Sequence, residues 1–225
     1  MTSEFQHWID QNLPSQDGKT ILITGGNSGI GYYAALALAK AGAHVVIAGR
    51  NPGRIEQAIK SIEAEGVAGH VEARIVDLAS LASVKQFSEQ FRISHPKLDV
   101  LINNAGVMMP PEGKTEDGFG VNFLGHFALT GLLFDRLQST AGSRVVTLSS
   151  IAHRGAQIDF DNLRLKNPTI KSASTTKVNW LTFCSPWNLR AALMQKRRPC
   201  YPSPVIPGSQ KRNCNDMLTL RCLRK

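Results

Sequence analysis

Apolar positions in the first 150 residues follow two alternating rhythms. Short continuous runs, Ile21-Leu22-Ile23 within 20–24 and Val45-Val46-Ile47-Ala48 within 44–48, have strand length and no polar face. That is the pattern of a strand buried on both sides. Between them, spacings of three and four predict helices. One covers 32–41, with Tyr32, Leu36, Leu38 and Ala39 on its buried side; another covers 54–65, with Ile55, Ala58, Ile59 and Ile62. The alternation continues with a strand over 71–76, a helix from an N-cap at Ser80 through Phe91, and a strand over 98–102. A long helix over 119–137 and a strand over 144–148 follow. Ahead of all this, 4–12 predicts a short amphipathic helix carrying Phe5, Trp8 and Ile9, closed off by Pro14. Strands alternating with long helices require right-handed crossovers, so the expected fold class is α/β, a Rossmann-type doubly wound parallel sheet. Its ligand belongs at the carboxyl ends of the strands, near the topological switch.

After Leu165 the rhythm stops. Residues 171–225 offer one apolar cluster, 178–183, followed by Pro186, Pro199, Pro202, Pro204 and Pro207. Charge breaks at the same place. Residues 1–170 carry 15 Lys plus Arg against 16 Asp plus Glu, whereas 171–225 carry 11 against one, Asp216. All four cysteines, Cys184, Cys200, Cys214 and Cys222, also lie in the second part. The expected organisation is an N-terminal helical extension over 1–16, a Rossmann domain over 17–170 truncated after its fifth or sixth strand, and a poorly ordered basic tail over 171–225. The tail's charge alone suits nucleic acid or anionic lipid. However, Lys196-Arg197-Arg198 is a short cluster without interleaved aromatics, so no nucleic-acid partner is expected. No zinc-type spacing appears, and no metal site is predicted. No apolar run approaches ~18 residues, so no membrane span is expected. The first twelve residues lack the basic n-region of a signal peptide, which makes a cytoplasmic location the expectation. Under reducing conditions the four cysteines do not imply disulfides.

Between the first strand and its helix stands Thr24-Gly25-Gly26-Asn27-Ser28-Gly29-Ile30-Gly31. A strand that turns through glycines into a helix presents unpaired backbone N–H groups and a positive dipole end, which suits a phosphate. Gly25 permits the tight turn, Gly29 lets a pyrophosphate approach the backbone, and Gly31 lets the helix pack closely on the strand. Thr24, Gly25, Asn27, Ser28, Gly29, Ile30 and Gly31 are therefore candidate cofactor contacts. The second strand ends Ala48-Gly49-Arg50-Asn51, lacking the acidic residue that holds a ribose 2′-hydroxyl. Arg50 stands there instead, beside Asn51 and a turn before Arg54. A guanidinium suits a 2′-phosphate through a forked, charge-assisted contact, so NADP(H) is favoured over NAD(H). Asp77, followed by Leu78, is placed either to accept a hydrogen bond from an adenine amino group or to cap the next helix. Asn103-Asn104-Ala105-Gly106 supplies two amides and two small residues, letting the backbone run close to a cofactor while the amides tie adjacent strands. His126 and His153 read as packing or surface residues.

These motifs, with Asn122 and Ser149-Ser150, resemble the short-chain dehydrogenase/reductase family. Asp117-Gly118-Phe119-Gly120-Val121-Asn122-Phe123-Leu124-Gly125-His126-Phe127 and Phe160-Asp161-Asn162-Leu163 are similar to its subgroup of retinol dehydrogenases, WW-domain oxidoreductase and protochlorophyllide reductase. The likeness runs from about Asp17 to Leu165. It implies an oxidoreductase moving hydride between NADP(H) and a small alcohol or carbonyl substrate, with Ser150 holding the substrate oxygen and Asn122 a relay water. Ser149 is expected to point away, because side chains alternate along a strand. Family members often form dimers and tetramers through the long helix and the helix bearing the catalytic tyrosine and lysine, so a homo-oligomer is possible in principle.

One family feature is missing. Its acid/base is a tyrosine four residues before a lysine, whose cation lowers the tyrosine pKa. Here Tyr32 and Tyr33 belong to the first helix, and Tyr201 is followed by Pro-Ser-Pro-Val. A catalytically inert, NADP(H)-binding fragment is accordingly the alternative reading. Back-translating 174–188 with permitted codons and reading from the third base of each gives Y-N-Q-S-K-L-A-N-L-L-F-A-L-E, a Tyr-x-x-x-Lys helix. Trp180 and Trp187 have one codon each, and the agreement runs through both. A frameshift between about Leu165 and Ser174 is thus expected to explain the late cysteines, the basic charge and the lost periodicity together.

Overall fold

The computed structural model describes residues 3–107 and 119–150. The Phe160-to-Leu163 motif, His153, Tyr201 and the whole basic tail lie outside the described residues. Helix α1 (Ser3–Asn12) precedes β1 (Thr20–Thr24), α2 (Gly29–Lys40), β2 (His44–Gly49), α3 (Pro52–Glu63), β3 (His70–Ile75), α4 (Leu81–Ser94) and β4 (Val100–Asn103). A π-helical turn (Gly120–Gly125) then leads into α5 (His126–Leu132), α6 (Phe134–Ser139) and β5 (Arg144–Thr147). All strand pairs are parallel, and the order is β3-β2-β1-β4-β5. The switch point falls between β1 and β4, whose successor strands lie on opposite sides.

The continuous apolar runs work because alternate residues serve opposite layers. Ile21, Ile23, Val45 and Ile47 pack with Ala35 and Ala39 of α2 and Ile55 and Ile62 of α3. Leu22, Val46 and Leu101 face the other way, onto Phe87 and Phe91 of α4 and Leu129 of α5. Every residue of β1 is buried. Register keeps the layers matched, with Leu22 opposite both Val46 and Leu101.

Three expectations need correction. Trp8 is 58% exposed, and among the described side chains of α1 it is Ile9 that is buried. Tyr32 and Leu38 are only half-buried on α2, where the small residues Gly31, Ala35 and Ala39 make the close approach. Most consequentially, the predicted helix over 119–137 is not one α-helix. It opens as a π turn and breaks again at Leu133 (φ −97°, ψ 3°). At the junction Gly125 lies against Leu78, where a Cβ would stand 2.9 Å from the Leu78 Cβ and run into its carbonyl oxygen.

Candidate functional site

The glycine turn sits where β1 ends. Gly25 (φ +67°) and Gly29 (φ +55°) both occupy the left-handed region that glycine adopts without steric cost. Around a Cβ placed on Gly29 nothing lies within 4 Å, so that corner is open toward solvent or a ligand. Gly31 is the reverse case: a Cβ there would meet the Asn104 amide and stand 2.6 Å from the Gly25 carbonyl oxygen. Ser28 occupies the N-cap of α2 in extended conformation, yet its hydroxyl makes no capping bond. The first-turn N–H groups of α2 therefore keep their capacity for an anion.

The end of β4 is fastened to that turn. Asn104 Nδ2 donates to the Thr24 and Gly25 carbonyl oxygens at 2.8 and 3.2 Å. The Thr24 hydroxyl oxygen accepts from the backbone N–H groups of Asn104 and Ala105, both at 3.0 Å. It also lies 2.8 Å from His126 Nε2. Burial lowers the His126 pKa to about 4, so the ring is neutral near pH 7. Asn122 O lies 3.4 Å from Nδ1, so the network assigns the proton to Nδ1 and has the Thr24 hydroxyl donating to Nε2. Sequence reasoning missed this histidine. Its partner stands 102 positions earlier in the chain, and no local spacing could have signalled it. Asn103 reaches the other way, donating to Thr130 Oγ1 at 3.1 Å and Thr147 Oγ1 at 3.4 Å, and so ties β4 to α5 and β5.

A cleft of about 660 Å³ opens over these strand ends. It brings together Gly25, Asn27, Ser28, Gly29, Ile30, Arg50, Leu78, Asn104, Ala105, Gly106, Asn122 and Ser150, all expected from the sequence, and adds His126 and Arg54. Ser149 lines it as well. Thr24 and Gly31 lie beneath the lining and shape it from below. Asn51 and Asp77 are not brought in. The Asn51 side chain accepts from Arg54 N and caps α3, and Asp77 Oδ1 accepts from Ala79 N in the turn before α4. Arg50 is exposed, and among the described residues neither its guanidinium nor that of Arg54 is held by a hydrogen bond or ion pair.

The Asn122 side chain is tied to the backbone beyond β4. Its Oδ1 accepts from Val107 N at 2.8 Å and its Nδ2 donates to Val107 O at 3.0 Å. The side chain thus clamps the segment leaving β4. The π turn, a feature frequent at functional sites, places this asparagine at the cleft.

Residues 19–160 match the short chain dehydrogenase family. Human retinol dehydrogenase 13 is 49% identical over 150 residues, 65% of this chain and 45% of that protein. Polyprenol dehydrogenase of Danio rerio is 38% identical over 205 residues, 88% of this chain and 63% of that protein. The crystal structure of an uncharacterized protein from Mycobacterium paratuberculosis superposes with a TM-score of 0.73 at 36% identity, covering 84% of this chain and 68% of that one. The chain spans about half the length of the curated relatives it matches.

Proposed function

Because the chain belongs to the short chain dehydrogenase family, we propose that its cleft binds NADP(H) and serves hydride transfer between that cofactor and an alcohol or carbonyl substrate. The observation that carries the reading is the pairing of an uncapped, glycine-opened helix start with Arg50, just past β2, and Arg54, in the first turn of α3, both unengaged among the described residues. The fit is specific. Gly29 leaves a cradle that a Cβ would fill, and Ser28 leaves its helix terminus to an anion. Arg50 and Arg54 offer forks for a 2′-phosphate where an acidic residue would repel one. The relatives named above carry retinol and polyprenol in their names, both alcohols, which supports the substrate class.

When bound, the nicotinamide supplies the hydride donor or acceptor. The chain's own residues bind and orient. Asn104 and Thr24 hold the backbone of β4 against the glycine turn, Asn122 fixes the segment at Val107, and Ser150 holds the substrate oxygen. Proton transfer needs a further group. Tyr32 packs on the α2–α3 layer and Tyr33 is exposed on the same helix, so neither stands at the cleft.

A cleft without a tyrosine among the described residues, in a sequence without Tyr-x-x-x-Lys, favours a second reading, a chain that binds NADP(H) without turnover. The reading frame links the two: we infer a frame slip between about Leu165 and Ser174, the active relative carrying Tyr-x-x-x-Lys in the other frame. The Danio rerio match extends over 88% of this chain, so it includes part of 171–225, and the coding DNA must decide. Sequencing codons 160–190 and finding no slipped base relative to close relatives would end the frame hypothesis. The function itself is tested by fluorescence titration with NADPH and NADH, followed by NADPH oxidation with aldehydes and ketones. NADPH binding with turnover supports the enzyme and binding alone supports the inert form. No NADPH binding overturns both.

A further inference from the structure

At the opposite end of the same strands lies a second cluster of side chains. His44 opens β2 and His70 opens β3, and the two are direct partners across the parallel pair. Glu72 follows His70 by two positions, which puts its side chain on the same face of the sheet. One ligand atom from each of the three lies within 4.8 Å of the others. Two further groups steady the carboxylate: Arg74 Nε and His95 Nε2 stand 3.0 and 3.2 Å from Glu72 Oε1. His95 itself is buried and stacked on Phe91 at 4.3 Å between ring centroids. The remaining oxygen, Glu72 Oε2, is directed toward His44 Nε2 at 3.5 Å. That nitrogen is shielded from solvent and has no hydrogen-bond partner among the described residues.

A buried imidazole nitrogen without a hydrogen bond, facing a carboxylate oxygen whose twin is already fixed, is an arrangement that a cation completes. We propose that His44, His70 and Glu72 bind one Zn²⁺ ion, with a water in the fourth position. Two imidazoles and one carboxylate form a donor set that zinc takes readily, and the harder cations calcium and magnesium do not. Ligand atoms ~2.0–2.1 Å from a tetrahedral zinc sit about 3.4 Å apart, so the cluster has to contract by about 1.4 Å at most. The exposed His70 ring supplies that movement. At roughly 3.3 Å rise per residue, β2 separates this cluster from the cofactor cleft by about 17 Å. The ion would therefore pin the amino ends of β2 and β3 together and take no part in hydride transfer.

The test uses the untagged full chain with its cysteines alkylated, because thiolates in 171–225 would compete for zinc. Calorimetric titration with Zn²⁺ is expected to give one site of micromolar or tighter affinity. His70→Ala, at an exposed position, should weaken it at least tenfold, and Glu72→Gln should do likewise. Co²⁺ substitution should give the intense visible bands of a tetrahedral site, lost in His70→Ala. Circular dichroism of His70→Ala against the parent confirms that the fold persists. No zinc binding by the alkylated chain, or binding that both variants leave unchanged, overturns the proposal.

Discussion

At the scale of single residues, the site depends on a hydroxyl and an imidazole that the cofactor need never touch. Thr24 Oγ1 accepts two backbone N–H groups while donating to a neutral His126. Thr24→Val keeps the volume and removes all of this, leaving two part-buried donors without their acceptor at about 1–3 kcal/mol each. Chemical denaturation should show a loss of about 3 kcal/mol, and Thr24→Ser should recover most of it. His126 adds a pH signature. Its folded pKa, lowered by burial to about 4, lies below the ordinary imidazole value of 6.5. The stability it protects is complete above pH 6.5 and is lost as pH falls toward 4, because the unfolded chain takes up the proton first. Over that window the loss approaches ~3 kcal/mol at about 1.4 kcal/mol per pH unit. His126→Gln should flatten this part of the stability profile, and an unchanged slope would refute the assignment. Arg50 bears on the proposed cofactor rather than on the fold. Arg50→Ala is expected to weaken NADPH at least tenfold and leave NADH nearly unchanged, the value of one charge-assisted contact.

At the scale of elements, β1, the glycine turn and α2 behave as one unit, and two glycines within it separate packing from binding. Gly31→Ala drives a methyl into the Gly25 carbonyl oxygen and the Asn104 amide, so it should cost about 2–3 kcal/mol and abolish NADPH binding together. Gly29→Ala meets open space and pays only for its φ of +55°, about 1–2 kcal/mol. Its fold should survive while NADPH affinity falls, a split that paired thermal melts and titrations would read. The legibility of each element follows the same logic. Strands β1 and β2 were readable because their residues are apolar on both sides, and the Ser80 cap because its bond to Ser83 is local. The π turn was not, because it depends on Asn122 meeting Val107 and Gly125 meeting Leu78 across the fold. Asn51 and Asp77 show a further limit. A short polar side chain after a strand serves a helix start or a ligand equally well, and here both serve the local backbone. The pairing of His44 with His70 was hidden too, since strand register joins residues that no spacing in the chain relates.

At the scale of the whole molecule, a parallel sheet has two chemically distinct ends, and each end of this one gathers its own set of polar side chains. Carboxyl ends gather the glycine turn, Arg50 and Ser150; the amino ends of β2 and β3 gather His44, His70 and Glu72. The two groups share no residue, and the strands between them are buried side chains already packed on both faces. Such a slab transmits little unless an element in it has two arrangements. Each ligand should then stabilise the native state by its own mass-action term, about 2.7 kcal/mol at a hundredfold excess over Kd. Sites this far apart without common partners are expected to add within about 0.5 kcal/mol. Denaturation of the alkylated chain with NADPH, with Zn²⁺, and with both measures this directly. Equality of the joint shift with the sum of the separate shifts identifies two independent sites on one scaffold. A joint shift departing from the sum by more than 1 kcal/mol would mean that β2 carries strain from one end to the other, and the rigid-sheet account would have to be abandoned.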